Sequence, residues 1–275
     1  MLAIKNNLMA ANAARNLGRS YDGLAKSVER LSSGLRINGA KDDAAGLAVR
    51  ELMRADIAVL QQGVRNAQDG VSMLQTMEGA MATIDDSLVR MKQLAEQAAT
   101  GSYSEAQRLI MHSEFKEMAE EIDRIAGATQ FNGIKMLDNS ASVSIHFGGA
   151  DDNIGIAGSN MTSSGLGLKV TTTVATTSIK FADSAVAALA LLDGAIALKD
   201  TARAAFGYKM NRLEGTVSVL GIQAENMMAA ESRVSDVDVA TEMANMTKNQ
   251  VLAQAGVAML AQANTMPQMA LTLLR

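Results

Sequence analysis

The sequence predicts a mainly α protein: an elongated antiparallel helical bundle and coiled coil with paired terminal helices and a small β-hairpin excursion in the middle. Three observations support that class. Apolar residues recur at alternating spacings of four and three along most of the chain, which is the seam of a coiled coil. Proline occurs once in 275 residues and aromatics make up 3%, while methionine reaches 19, so packing falls to Leu, Ile, Val, Ala and adaptable Met side chains, as in long helices. Between residues 138 and 183 the composition turns to Gly, Ser, Thr and Asn, and the apolar period drops to two.

Leu17, Tyr21, Leu24, Val28, Leu31 and Leu35 set the seam of a first helix. The stretch SSGLRINGAKDD breaks it: Gly34 and Gly39 loosen the backbone, and Asp42 or Asp43 can cap the next helix by accepting its free amide hydrogens. The rhythm resumes at Leu60 and runs through Val64, Ala67, Val71, Leu74, Met77, Met81, Ile84, Leu88, Met91, Ala95 and Ala98. A slip at Val71, Leu74 and Met77 shifts the supercoil locally. Gly101 ends this helix, and Ser102 with Glu105 forms a capping box for a third, carried by Met111, Phe115, Met118, Ile122 and Ile125 and stopping at Gly127.

Asn132 and Gly133 in QFNGIKML read as a tight turn, and Val143, Ile145 and Phe147 alternate with Ser144 and His146 as a half-buried strand. The segment VTTTVATTSIKF, from Val170 to Phe181, supplies the second strand. Helix returns from Ser184, with Phe206, Met210, Leu213, Val217, Leu220, Ala224 and Met227 at the same alternating spacing. A loop around Ser232 to Asp238 leads into a last helix. This order brings the two terminal segments side by side as an antiparallel pair.

That last helix runs from Asn249 to Leu274 without a charge, yet Gln250, Gln254, Gln262, Asn264 and Gln268 interrupt its apolar residues, so it fits neither lipid nor water. Leu252, Met259, Met266 and Leu273 recur every seven residues beside a second row of Met246, Ala253, Leu260 and Leu274. One partner helix does not cover two seams. The expected cover is a ring of copies of the same chain, with Leu252, Val257, Met259, Leu260, Met266, Leu271, Leu273 and Leu274 as the polymer core.

Net charge of −4 argues against nucleic acid as a partner, because phosphate binding needs a basic footprint. There is no cysteine, hence no disulfide framework and no thiolate chemistry. His112 and His146 have no ligand spacing between them and are expected to be ordinary surface residues; no metal, cofactor or catalytic residue is expected. Asp42 and Asp43 stand directly before a helix, so capping is favoured over acid–base work. Asn160, Met161 and Thr162 form an acceptor tripeptide of a kind that arises often by chance. Asn6, Asn7, Asn12 and Arg15 interrupt the N-terminus, so a cleaved signal peptide is not expected.

The segments ERLSSGLRINGAKDDAAGLAV, TQFNGIKML and MLAQANTMPQMALTLLR together resemble bacterial flagellin. The resemblance covers about residues 1 to 140 and 185 to 275. It implies a filament subunit whose paired terminal helices line a central channel, surrounded by a helical bundle with an outward hairpin. On that reading residues 1–42 are the N-terminal filament-core helix and linker, 43–137 the first part of a helical rod domain, and 138–183 a short variable β excursion. Residues 184–233 are the return helix and 234–275 the C-terminal filament-core helix. The middle is far shorter than in family members with additional outer domains, so functions lodged there are not expected.

The resemblance also implies partners: a homopolymer of many copies, an export chaperone, filament cap and hook-junction proteins, and innate immune receptors of a host, with no membrane insertion. It places the protein outside the cell, in the flagellum. A Toll-like receptor surface of the family aligns with Arg90, Leu94 and Glu114, with Arg90 and Leu94 one turn apart on one face as an exposed cation and an apolar anchor. Met91, Lys92, Gln93 and Glu96 depart from receptor-active forms. Alternatives are a hook-filament junction protein of the same rod and a membrane-active secreted helical translocator.

Overall fold

The computed structural model describes residues 7–139, 141–149, 152–168 and 177–273, with side chains of the last helix described as far as Met266. Five helices, α1 (Leu8–Ser33), α2 (Ala44–Ala99), α3 (Glu105–Ala128), α4 (Ala182–Ser235) and α5 (Val239–Leu273), enclose in sequence the strands β1 (Ser142–His146) and β2 (Asn153–Ala157). The chain divides into two compact units, Met1–Ile57 with Glu225–Arg275, and Ala58–Ala224.

In the unit Ala58–Ala224 the expected stripe of α2 is the core: Ala67, Leu74, Met77, Met81, Ile84, Leu88, Met91, Ala95 and Ala98 are fully buried, with Leu60, Val64 and Val71 packed against them. Phe115, Ile122 and Ile125 of α3 and Phe206, Leu213 and Leu220 of α4 join the same cluster. Helices α2 and α4 run antiparallel, as ion pairs in falling register record: Glu78 with Arg203, Asp85 with Lys199, and Lys92 with Asp193. Lys199 is 2% exposed, between Asp85 and Asp200. Burial pulls its pKa down, but the hydrogen bonds to Asp200 and Asp85 more than offset that and hold it above the ordinary lysine value.

Asn132 and Gly133 both adopt positive φ, 49° and 78°, and Phe131 and Ile134 exchange both backbone hydrogen bonds across them. This is the primed turn that an Asn-Gly pair favours. Strand β1 forms where the alternation places it, but its partner is Asn153–Ala157, in antiparallel register with Val143 opposite Ile156 and Ile145 opposite Ile154. The expected second strand, Val170 to Phe181, lies outside the described residues as far as Thr176, and residues 177–181 are not strand. Ile154 and Ile156 alternate with Gly155, so a five-residue strand half made of small residues hid the β2 pattern.

The hairpin docks on α2 through two glycines seven residues apart. A Cβ on Gly63 would lie 2.2 Å from the Phe147 carbonyl oxygen, and one on Gly70 would press on Ile145 and Leu213. Between them the Asn66 side-chain amide donates to the His146 carbonyl at 2.9 Å. Beyond β2 the chain is tied to α3, where Asp123 accepts from the amide and hydroxyl of Ser163.

One cap and one histidine differ from expectation. The α3 capping box uses Ser104 and Gln107, because Ser104 is the last extended residue before the helix; Ser102 lies in the preceding turn. His112 is buried beside Phe115 and not on the surface, with ring centroids 6.4 Å apart. Desolvation first, then Lys180 and Lys116, lower its pKa and favour the neutral imidazole.

In the other unit the SSGLRINGAKDDAAG stretch is a sequence of specific locks. Gly34 caps α1 in the left-handed conformation at φ 72°. Leu35 bridges Asp236, with the Arg36 amide donating to the Ser235 carbonyl at 2.7 Å and the Val237 amide to the Gly34 carbonyl at 3.0 Å. Ile37 is buried, and Arg50 donates to its carbonyl at 2.6 Å. Asp42 pairs with Lys26 at 2.6 Å, while Asp43 takes the capping role by accepting the Gly46 amide at 2.9 Å. Hydrogen bonding by Lys26 and the Asn38 amide hold the Asp42 carboxyl below its usual range.

Replacing Gly63 with alanine is expected to lower the unfolding free energy by about 1–3 kcal/mol, since backbone on both sides of the contact has no room to give. Gly79 of the same helix faces open space, and its alanine variant is expected to gain roughly 0.5–1 kcal/mol. Urea unfolding followed by circular dichroism checks the pair; equal shifts would contradict the docking contact.

Candidate functional site

The terminal helices α1 and α5 pack antiparallel, and their register is recorded at both ends. Asn7 accepts the Ala10 amide as the α1 cap and donates its side-chain amide to the Ala263 carbonyl at 2.7 Å; at the other end Ser27 reaches Glu242. The inward residues of α1 are Ala13, Leu17, Ser20, Leu24, Ser27 and Leu31, and those of α5 are Glu242, Met246, Asn249, Ala253, Gly256, Leu260 and Ala263. Both rows keep the four-three rhythm. The helices approach closely where side chains are small. A Cβ on Gly23 would lie 2.8 Å from the Asn249 side chain, and one on Gly256 would lie 3.1 Å from Leu17.

The α1 seam therefore differs from the expected one at alternate positions. Leu17, Leu24 and Leu31 face α5, but Tyr21 and Val28 are about half exposed, and Ser20 and Ser27 take their places. The reason is polar as well as steric. The Glu242 carboxylate, 7% exposed, accepts from the Ser27 hydroxyl at 2.5 Å and pairs with Arg30 at 3.5 Å. A buried carboxylate without those partners would cost several kcal/mol, on the order of 3–5, so it fixes which face of α1 turns inward. Asp238 caps α5 just before it, accepting the Ala240 amide at 3.0 Å and the Thr241 hydroxyl at 2.7 Å.

This seam leaves most of the described apolar residues of α5 uncovered. Leu252 is 47% exposed, Met259 60% and Val257 49%, with Met243 and Val251 also exposed. By heptad position Leu252, Met259 and the half-buried Met266 flank the seam on one side, Met243 and Val257 on the other. Among the residues expected to form a polymer core, Leu260 differs: it is half-buried on the seam with α1. The side chains of Leu271 and Leu273, and Leu274 entirely, lie outside the described residues.

On the α2 and α3 surface Arg90 donates through Nε and Nη2 to one oxygen of Glu114, at 2.8 and 2.6 Å. Both side chains are roughly half exposed. Leu94 does not stand beside them as an exposed anchor. It is 2% exposed within the bundle core, because the buried stripe of α2 includes positions 91, 94, 95 and 98 and is wider than a strict seam. The exposed neighbours of Arg90 are instead Val89, Lys92 and Gln93, which with Glu96, Gln97 and Thr100 line an open groove.

The chemistry of single sites is sparse. His112 is buried on α3 and His146 lies on β1; among the described residues no group of three or more His, Asp or Glu is placed to hold a metal ion. No described helix is long and apolar enough to cross a membrane. What sequence reasoning missed is the role of small and polar residues at contacts: Ser20, Ser27, Gly23 and Gly256 between α1 and α5, and Gly63 with Gly70 under the hairpin. The signal available was the seven-residue spacing of Gly63 and Gly70 inside a helix.

Comparison with known proteins agrees with this arrangement of helices. Residues 4–142 match the bacterial flagellin N-terminal helical region and residues 189–274 the C-terminal helical region. The chain is 41% identical over 286 residues to the flagellar filament 33 kDa core protein of Treponema phagedenis, with both chains fully covered. It is 42% identical over 275 residues to a flagellin of Halalkalibacterium halodurans, again with full coverage of both. A crystal structure of Bacillus cereus flagellin superposes with a TM-score of 0.50 at 32% identity, over 61% of this chain and 94% of that one. A hook-associated protein from Vibrio parahaemolyticus, described as putative, reaches 0.59 over 71% of this chain and all of its own at 15% identity, a likeness of fold alone. The two matched regions and the full-length identity of about two residues in five place this chain in the bacterial flagellin family.

Proposed function

We infer that the protein is a structural subunit that polymerises into the bacterial flagellar filament and so serves motility, not catalysis. The observation behind this reading is the apolar surface of α5 that α1 leaves uncovered, above all Leu252, Val257 and Met259, in a chain whose relatives are flagellins and filament core proteins. On this reading residues 1–42 and 234–275 form the filament core, 43–137 and 184–233 the surrounding rod, and 138–183 a short outer excursion. The full-length identity to flagellins favours the filament over a hook-filament junction role. The stretch of α5 from Asn249 on, uncharged but bearing Gln and Asn, favours copies of itself over lipid as the cover.

Placement outside the cell requires export. The reading is that the uncleaved N-terminus addresses a flagellum-specific export apparatus, that a chaperone shields α5 beforehand, and that cap and hook-junction proteins meet the subunit at the growing end. Mass spectrometry of secreted protein is expected to find the N-terminus retained beyond removal of the initiator methionine; loss of the first twenty or so residues contradicts the uncleaved route.

A second reading concerns host recognition. The exposed Arg90 and Glu114 pair supports an innate receptor contact, with Leu94 acting from beneath by holding α2 in place and not by touching the receptor. Arg90→Ala and Glu114→Ala are expected to change stability by at most about 1 kcal/mol, as for surface ion pairs generally. Leu94→Ala is expected to cost about 2–5 kcal/mol. A receptor reporter assay on monomers, read beside urea unfolding, checks this: loss of signal in the two stable variants supports direct contact, and full signal in both removes it.

Polymerisation has a sharper test. Leu252→Asp and Met259→Asp place charge on the uncovered flanks, where burial against a neighbouring subunit costs several kcal/mol, about 3 or more. Both are expected to abolish seeded assembly while monomer helicity stays at the parental level. Leu260→Asp is expected to disturb the α1 and α5 pair as well. Sedimentation of seeded mixtures decides, and parental polymer yield from Leu252→Asp would sink the proposed wall.

A further inference from the structure

Seven of the described methionines are of intermediate exposure, among them Met111, Met118 and Met210 packed against the core; the two extremes of accessibility fall in different units. Met73, Met77, Met81, Met91, Met136 and Met161 are at most 2% exposed, and all belong to the unit Ala58–Ala224. The exposed methionines among the described residues, Met9 at 60%, Met228 at 43%, Met243 at 49% and Met259 at 60%, all belong to the other unit. Three of these four stand on the terminal pair, Met9 on α1 and Met243 and Met259 on α5. Met243 lines an open groove with Ala244, Thr247, Lys248, Val251 and Leu252, and Met259 sits one heptad beyond Leu252 on the same flank.

A thioether is soft, polarisable and readily oxidised where a peroxide can reach it, and inert where packing excludes solvent. The sulfur attacks one peroxide oxygen with its lone pair, the O–O bond breaks, and sulfur leaves as the sulfoxide while the peroxide is reduced to water. The product is polar and chiral, with an acceptor oxygen. In solvent it costs the helix little, but between packed apolar side chains that oxygen loses water without gaining a donor.

We propose that Met9, Met243 and Met259 are oxidation sites of the unassembled subunit, and that their conversion to sulfoxide by a peroxide withholds the subunit from the polymer until the sulfoxides are reduced. This rests on the filament reading above. The geometry separates the damaged surface from the folded core: the six buried methionines remain thioethers, so an oxidised subunit keeps its bundle and loses its capacity to add. Polymer, once formed, covers the same sulfurs and protects them.

The test uses the full chain, hydrogen peroxide as the oxidant and seeded assembly as the readout. Peptide mass spectrometry of treated monomer is expected to show one added oxygen at Met9, Met228, Met243 and Met259 and none at the six buried positions. The critical concentration is expected to rise about tenfold or more, the loss of favourable burial of one or more methionine side chains. Treatment with the two methionine sulfoxide reductases restores assembly. Preformed filaments exposed to the same peroxide show Met9, Met243 and Met259 protected. Compared each with its own untreated sample, M228L keeps full peroxide sensitivity and M259L loses much of it. Sulfoxide at the three terminal-pair methionines with unchanged assembly overturns the proposal, as does a loss that the reductases fail to reverse. Failure of the untreated subunit to polymerise overturns the filament reading instead, and this inference with it.

Discussion

The buried contact of Glu242 with Ser27 and Arg30 governs what the terminal helices can do. Either helix has more than one face that could turn inward. An acidic side chain that is almost wholly buried tolerates only the arrangement in which both partners reach it, and that arrangement puts Ser20 and Ser27, not Tyr21 and Val28, against α5. Small residues at Gly23 and Gly256 then allow the backbones to approach. The consequence is a seam that alternates Leu17, Leu24 and Leu31 with small side chains and leaves Tyr21, Val28, Leu252, Val257 and Met259 exposed. A chain built this way pairs α1 with α5 and keeps Leu252, Val257 and Met259 exposed.

The same division of labour recurs in the unit Ala58–Ala224. Its core is a conventional apolar stripe, shared by α2, α3 and α4, and its close contacts are made by residues with little side chain. Gly63 and Gly70 admit the hairpin, and Asn66 between them satisfies a strand carbonyl that would otherwise face a helix. Lys199 performs the complementary task in the interior, where two carboxylates hold a buried ammonium charged and tie α4 to α2. Polar groups in this protein set register, and apolar groups supply the bulk of the burial.

Arg90, Leu94 and Glu114 show how sequence adjacency can mislead about a surface. Arg90 and Leu94 are one turn apart, which places them on one side of the helix but not at one depth. The salt bridge from Arg90 to Glu114 lies over the α2 and α3 contact, and Leu94 lies within it. Substitution at Leu94 therefore acts on packing first and on any surface contact only through it.

The alternating apolar spacings by themselves determined five helices, the buried stripes of α2, α3 and α4, and the antiparallel return of the chain, because the apolar period is a local property of the sequence. Asn132 and Gly133 likewise announced their turn, since few residue pairs accept two positive φ angles. The uncharged run after Asn249 led to the expectation that α5 needs protein on more than one side. Tertiary structure alone decided which side the chain covers itself. Heptad arithmetic cannot weigh a serine against a tyrosine at a seam when the deciding term is a carboxylate 215 residues away. Likewise β1 paired with β2, whose Ile154 and Ile156 are buried, and Leu94 and His112 sank into a stripe widened by a third helix.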